Sequence, residues 1–167
     1  MQPSQATLQN YQNDFQYVPV KIEAEIPDFD VYQITDYLDQ YYDTCTQLTI
    51  NNHDQQKYTY LVINPSQEII VEEDQVLVNG KRQEQDAHHY IKQLLETHRT
   101  PKIKGMPPFS GGLIGYFAYE YIKTAVTKLQ KLRRLPDHQP LARLLLADTV
   151  IAYDHERQIC ELIKVIG

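Results

Sequence analysis

The sequence predicts an α+β fold in which helices pack on a largely antiparallel β-sheet. Three observations carry that prediction. Apolar, β-branched and aromatic runs of about four to eight residues recur along the chain, the length and composition of strands. Short polar or proline-containing breaks separate most of them, among them Pro27-Asp28, Asn64-Pro65, Asn79-Gly80 and Asp154-His155-Glu156-Arg157. Strands outnumber the segments with a helical period, and short turns join strands that run antiparallel.

Met1 to Asp14 are rich in Gln and Asn and carry little apolar content. They read as a flexible N-terminal arm, leaving residues 15–167 as a single domain. From Phe15 to Ile26 the pattern turns extended, with Phe15, Tyr17, Val18, Val20, Ile22 and Ile26 alternating roughly with polar residues. Asp30 is a natural N-cap for a helix running to about Tyr42, on which Val31, Ile34 and Leu38 share a face. Cys45 to Ile50 reads as a strand, and Asn51-Asn52-His53-Asp54 as a polar turn. Tyr58 to Ile63 is a strongly β-prone run. Gln67 to Val71 and Gln75 to Val78 follow as short strands.

A second helix is expected from about Gln83 to Thr97, where Ala87, Ile91, Leu94 and Leu95 align. Thr100 to Pro108 is a connection punctuated by Pro and Gly. Leu113 to Tyr121 is apolar on both faces, which predicts a buried central strand. Lys123 to Leu135 has a helical period and carries Lys and Arg in its last turn. Leu141 to Tyr153 and Ile159 to Ile166 complete the strands.

The composition narrows the function classes. The chain has 167 residues, 13 Tyr, no Trp and 6 Gly. So many tyrosines suit half-buried strand faces, where the ring packs and the hydroxyl reaches water. A formal charge of −6 argues against a nucleic-acid partner, because phosphate binding needs a cationic face. The basic residues Lys123, Lys128, Lys131, Arg133 and Arg134 are the one positive concentration, read as a solvated helix face or a dock for an acidic partner. No apolar run approaches the roughly 20 residues that span a bilayer. The N-terminus lacks the apolar stretch of a secretory signal, so a cytoplasmic location with Cys45 and Cys160 reduced and buried is expected.

The motifs offer little chemistry. Ser110-Gly111-Gly112-Leu113-Ile114-Gly115 invites a phosphate-loop reading. It lacks the following lysine and hydroxyl, and a strand rather than a helix comes after it. Its glycines suit a tight turn at Gly111-Gly112 and a close approach at Gly115. The six histidines show no metal-ligand spacing and read as surface residues. Ser110, Cys45 and Cys160 lack the setting of a nucleophile. Glu72-Glu73-Asp74, Asp154 and Glu156 lie in turns, where carboxylates are solvated. The expectation is therefore no catalytic residue, no metal and no cofactor in this domain.

Three segments together resemble a known family. The first is Pro107-Pro108-Phe109-Ser110-Gly111-Gly112-Leu113-Ile114-Gly115-Tyr116-Phe117-Ala118-Tyr119-Glu120. The second is Leu135-Pro136-Asp137 followed by the hydrophobic stretch Leu144 to Tyr153 and Asp154-His155. The third is Lys57-Tyr58-Thr59-Tyr60-Leu61-Val62-Ile63-Asn64-Pro65. In type, order and spacing they are similar to the N-terminal domain of anthranilate synthase component I, shared with aminodeoxychorismate synthase. The likeness runs from about Val18 to Val165, and its signature positions are Phe109, Gly111, Gly112, Gly115, Tyr116 and Tyr119.

The resemblance implies an α+β domain without activity of its own. In the family, chorismate and ammonia from a glutamine amidotransferase subunit become anthranilate on a separate C-terminal chorismate-binding domain, which also holds Mg²⁺. The N-terminal domain packs on that catalytic domain and helps form a tryptophan feedback site. The family's Leu-Leu-Glu-Ser strand corresponds here to Gln47-Leu48-Thr49-Ile50. Thr49 replaces the serine hydroxyl, Lys57 falls at a basic position, and Leu48 stands where the family has Glu. Tryptophan binding is therefore expected to be weak or absent. Aminodeoxychorismate synthase parentage and a free-standing regulatory module are the alternatives. The apolar segment Ile159 to Ile166 ends without a polar tail, as expected of a domain cut from a longer chain. An interdomain face left open would favour a homodimer.

Overall fold

The computed structural model describes residues 1–42, 45–51, 57–122 and 139–167. In chain order the helices are α1 (Gln5–Gln12), α2 (Val31–Leu38) and α3 (Ala87–Thr97). The strands are β1 (Val18–Glu25), β2 (Cys45–Asn51), β3 (Lys57–Ile63), β4 (Gln67–Val71), β5 (Val76–Val78), β6 (Lys81–Arg82), β7 (Gly112–Phe117), β8 (Ala142–Ala147), β9 (Thr149–Asp154) and β10 (Ile159–Ile166). The architecture is the expected α+β, in two sheets rather than one. The contacts divide the chain into two compact units. Met1–Pro65, His98–Gly112 and Ala147–Gly167 form the first, and Ser66–Thr97 with Leu113–Leu146 the second. The expected helix from Lys123 to Leu135, its basic residues, Leu135-Pro136-Asp137 and the turn at Asn52-His53-Asp54 lie outside the described residues.

The first unit is built on a sheet of order β1-β10-β9-β3-β2, antiparallel at every step. Val18, Tyr60, Leu61, Val62, Val150, Ala152 and Ile163 form its buried centre. Asp30 caps α2 as expected, its Oδ1 accepting from the Tyr32 and Gln33 N–H groups at 2.9 and 3.2 Å. The helix stops at Leu38, short of Tyr41 and Tyr42.

Two features of this unit differ from the sequence reading. The N-terminal residues, read as a flexible arm, form α1. Ser4 supplies the cap, its Oγ accepting from the Thr7 N–H at 3.3 Å. Ahead of the helix, Gln2 exchanges two backbone hydrogen bonds with Lys21 of β1, at 2.9 and 2.8 Å. The second difference is in β1. Alternation places Lys21 outside and Ile22 inside; the structure does the reverse, with Lys21 4% and Ile22 54% exposed. The cause is on β10, where Glu161, itself 2% exposed, pairs with the Lys21 ammonium. Ile22 and its register partner Leu162 consequently share the open face.

The second unit carries a sheet of order β6-β5-β4-β8-β7. Ile69 and Val71 of β4 lie opposite Leu144 and Ala142 of β8. These residues form one core with Ala87 and Leu94 of α3. Asn79 and Gly80, at φ 49° and 74°, make the tight turn from β5 to β6 that the Asn-Gly pair signals. Asp86 Oδ1 accepts from the His89 N–H at 3.1 Å and starts α3.

Two strands here also differ from expectation. Leu113 to Tyr121 was to be a buried central strand, but β7 ends at Phe117 and stands at the edge of its sheet, beside β8 alone. With one neighbour among the described residues only its first half is covered: Ile114 is buried, whereas Tyr116 and Phe117 are exposed, Phe117 by 52%. A short 3₁₀ turn, Tyr119–Tyr121, follows. The single strand expected from Leu141 to Tyr153 breaks at Asp148. β8 joins one sheet and β9 the other, and Asp148 O accepts from the Val165 N–H at 2.8 Å.

Candidate functional site

The period-two geometry of β2, β3 and β9 sorts the candidate effector residues. Thr49 lies opposite Thr59, and Leu48 opposite Tyr60. Thr49 and Lys57 therefore point to one face of the sheet, and Leu48 to the other. On the first face a hydrogen-bonded row crosses the strands. Thr49 Oγ1 and Thr59 Oγ1 are 3.1 Å apart, and Thr59 Oγ1 is 2.8 Å from His155 Nε2. The His155 backbone N–H bonds Lys57 O at 3.0 Å. Burial, and then the Lys57 charge, depress the His155 pKa below its ordinary 6.5, while Asp154 works in the opposite sense. The structure thus brings Thr49, Thr59, Lys57 and His155 together and leaves Leu48 behind the sheet.

The opposite face carries a buried polar cluster. Tyr58 OH donates to Asp154 Oδ2 at 3.1 Å. Asp154 Oδ1 accepts from the Glu156 and Arg157 N–H groups at 3.0 and 3.1 Å, which shapes the turn into β10. Burial, reinforced by Asp154, pushes the Tyr58 phenol up to about 12. Burial also raises Tyr60 to about 12, against a lowering bond from the Phe109 N–H. Lys21 Nζ donates to Glu161, to Gly105 O at 2.6 Å, and reaches Glu23 at 3.2 Å.

The sequence reading did not single out Lys21 or Glu161. Both look like the polar half of an alternating strand, and only their pairing across β1 and β10 reveals them. Among the histidines, His88 and His89 are exposed as expected, whereas His155 is half-buried and His98 stacks on Tyr17 with ring centres 4.5 Å apart. Cys160 is half-buried and free, and burial raises its thiol pKa.

Part of the signature segment is spent on packing. Phe109 meets Tyr60 edge to face at 5.5 Å. A Cβ on Gly111 would stand 2.5 Å from Val165 Cγ2, and one on Gly115 2.1 Å from Arg143 O. Gly112 has open space but a φ of 117°. Tyr116 and Tyr119 are exposed.

These residues do not fit Mg²⁺. The ion takes about six hard oxygen ligands in an octahedron. The Asp154 oxygens already accept from three donors, and Glu161 faces the Lys21 ammonium. Among the described residues no group of three His, Cys, Asp or Glu side chains is placed to hold a metal. Nor is any described helix long and apolar enough to cross a membrane.

The family model described as chorismate binding enzyme matches residues 45–166. The chain belongs to the chorismate binding enzyme family. Among curated relatives of this family member, the probable anthranilate synthase component 1 of Schizosaccharomyces pombe is 30% identical over 93 residues, 53% of this chain and 18% of that protein. Anthranilate synthase component 1 of Saccharomyces cerevisiae is 27% identical over 121 residues, 70% of this chain and 22% of the relative. The Mycobacterium bovis protein of the same name is 36% identical over 77 residues, 42% of this chain and 14% of that one. A crystal structure of anthranilate synthase component I from Streptococcus pneumoniae aligns with TM-score 0.56 and 19% identity, over 70% of this chain and 26% of the other. That likeness concerns the fold. This chorismate binding family member therefore matches about a fifth or less of the length of these curated relatives.

Proposed function

We propose that this chain is the N-terminal, non-catalytic domain of an anthranilate synthase component I-like enzyme of tryptophan biosynthesis. In that reading a separate chorismate-binding domain, with Mg²⁺ and a glutamine amidotransferase subunit, performs the chemistry in the cytoplasm. The observation that supports it is the use made of the signature segment. Phe109 packs on Tyr60, and Gly111 and Gly115 lie where a Cβ would strike Val165 and Arg143, so these three signature positions serve packing rather than chemistry. Incubating the chain with chorismate, Mg²⁺ and ammonia is expected to give no anthranilate fluorescence; appreciable turnover overturns the non-catalytic reading.

The effector face is proposed to bind tryptophan weakly or not at all. The Thr49 hydroxyl is engaged by Thr59, and no carboxylate stands at position 48 to meet an ammonium group. A missing charged hydrogen bond is worth about 1.5–3 kcal/mol, roughly 10- to 150-fold in affinity. Calorimetry giving micromolar L-tryptophan binding overturns this.

A second reading, that the chain itself binds chorismate, is favoured by the description of the matching family model over residues 45–166. Calorimetry with chorismate in place of tryptophan separates the two readings.

A further inference from the structure

The two sheets end in four edge strands, and three of them are protected. β1 carries Lys21, Glu23 and Glu25, and Gln2 bonds back onto it. β6 is two residues long, Lys81 and Arg82, both charged. In β7, Gly112 and Gly115, at φ 117° and 154°, interrupt the regular pleat. Charge, brevity and departures from regular strand geometry work against pairing with another chain.

β2 has none of them. Its sequence is Cys-Thr-Gln-Leu-Thr-Ile-Asn, seven residues without a charge, a proline or a glycine. It pairs with β3 on one side and with no described strand on the other. Gln47, Leu48, Thr49 and Ile50 are all exposed, Leu48 by 38% and Ile50 by 37%. A row of N–H and C=O groups is thus offered outward from a strand with apolar side chains.

We propose that β2 is the homodimer contact of this chain, pairing antiparallel with β2 of a second copy about a two-fold axis at Leu48. The strand is self-complementary in that register. Leu48 meets Leu48, Thr46 meets Ile50, and Gln47 meets Thr49. The apolar pair and the Thr methyl on Ile therefore share one face, and the amide–hydroxyl pair takes the other. No charge faces a like charge, although the whole chain carries −6. The contact is isologous, so it closes at two copies and joins the β1-β10-β9-β3-β2 sheet of one copy to the same sheet of the other.

Sedimentation equilibrium of the whole chain tests this. The mass is expected to rise from 19.6 kDa towards twice that value as concentration approaches about 1 mM, where even a contact worth about 4 kcal/mol is populated. Leu48→Lys and Leu48→Glu each set like charges face to face and should weaken the dimer about fivefold or more. An equal mixture of the two variants should restore it, because Lys then faces Glu. In the wild-type chain, hydrogen exchange at those β2 amides that point away from β3 should slow as concentration rises. A chain that stays monomeric, a dimer indifferent to both substitutions, a mixture that fails to reassociate, or β2 amides whose exchange ignores concentration each overturns the proposal.

Discussion

Replacing Lys21 with Met tests the buried ion pair that turns β1 inside out. Lys21 is 4% exposed and Glu161 2%. The Lys21 ammonium bonds the Glu161 carboxylate, the Gly105 carbonyl at 2.6 Å and the partly exposed Glu23 at 3.2 Å. Met keeps most of the stem volume, so little of the effect comes from a cavity. What remains is a carboxylate buried without its counter-charge and a carbonyl without its donor. Breaking such a pair costs about 3–5 kcal/mol. With an m-value of about 2 kcal/mol/M, a loss of about 4 kcal/mol lowers the urea midpoint by about 2 M. The double variant Lys21→Met/Glu161→Leu removes both charges and should recover most of the loss, ending within about 1–2 kcal/mol of wild type. Urea unfolding followed by circular dichroism measures all three proteins. A single variant that loses less than about 1 kcal/mol, or a double variant no better than the single, refutes the reasoning.

Three further outcomes follow from the geometry. Gly115→Ala drives a Cβ to 2.1 Å from Arg143 O and 2.9 Å from Leu144 Cα, both backbone atoms; thermal unfolding should show a loss of about 3 kcal/mol or more. Gly112→Ala meets open space and should cost only about 1–2 kcal/mol for its positive φ. The His155 titration, read by NMR from the imidazole ring-proton shifts, should have its midpoint below 6.5, and Lys57→Met should raise it without fully restoring it, because burial is the larger cause. The fold disfavours the protonated form of His155, so its contribution to stability is complete above pH 6.5 and is lost as pH falls through the lower folded value. A midpoint that Lys57→Met leaves unmoved refutes the charge contribution.

Local chemistry was the most legible part of the fold. Asp30 announces its helix, Asn79-Gly80 its turn, and the run Gln67–Val71 is found as the strand it was read to be. What failed depended on partners distant in the chain. Lys21 is inward because Glu161, 140 residues away, is inward too. The break at Asp148 has no proline or glycine to mark it, because each half is apolar enough for its own sheet. An apolar pattern on both faces foretold burial for β7, but burial needs a neighbour on each side. In α1 the Ser4 cap was the available signal, outweighed by the Gln-rich composition around it. At the candidate site, Thr49 and Lys57 were named from the resemblance, whereas the row through Thr59 to His155 exists only once β3 lies between β2 and β9.

The pairing of β1 with β10 has a consequence for how the protein is made. β1 lies near the beginning of the chain, and its sheet partner is the last strand in the sequence, running from Val18↔Ile166 to Glu25↔Ile159. On a ribosome β1 emerges early and, apart from its bridge to Gln2, finds no strand partner until residues 159–166 leave the exit tunnel. The ion pair between Lys21 and Glu161 is also unmade until then. Until then β1 lacks its β10 ladder and Lys21 its main carboxylate partner, a vulnerable interval for a nascent chain. The β1 edge of the first sheet therefore forms only after residues 159–166 are made, and a break before β10 would leave β1 without its strand partner.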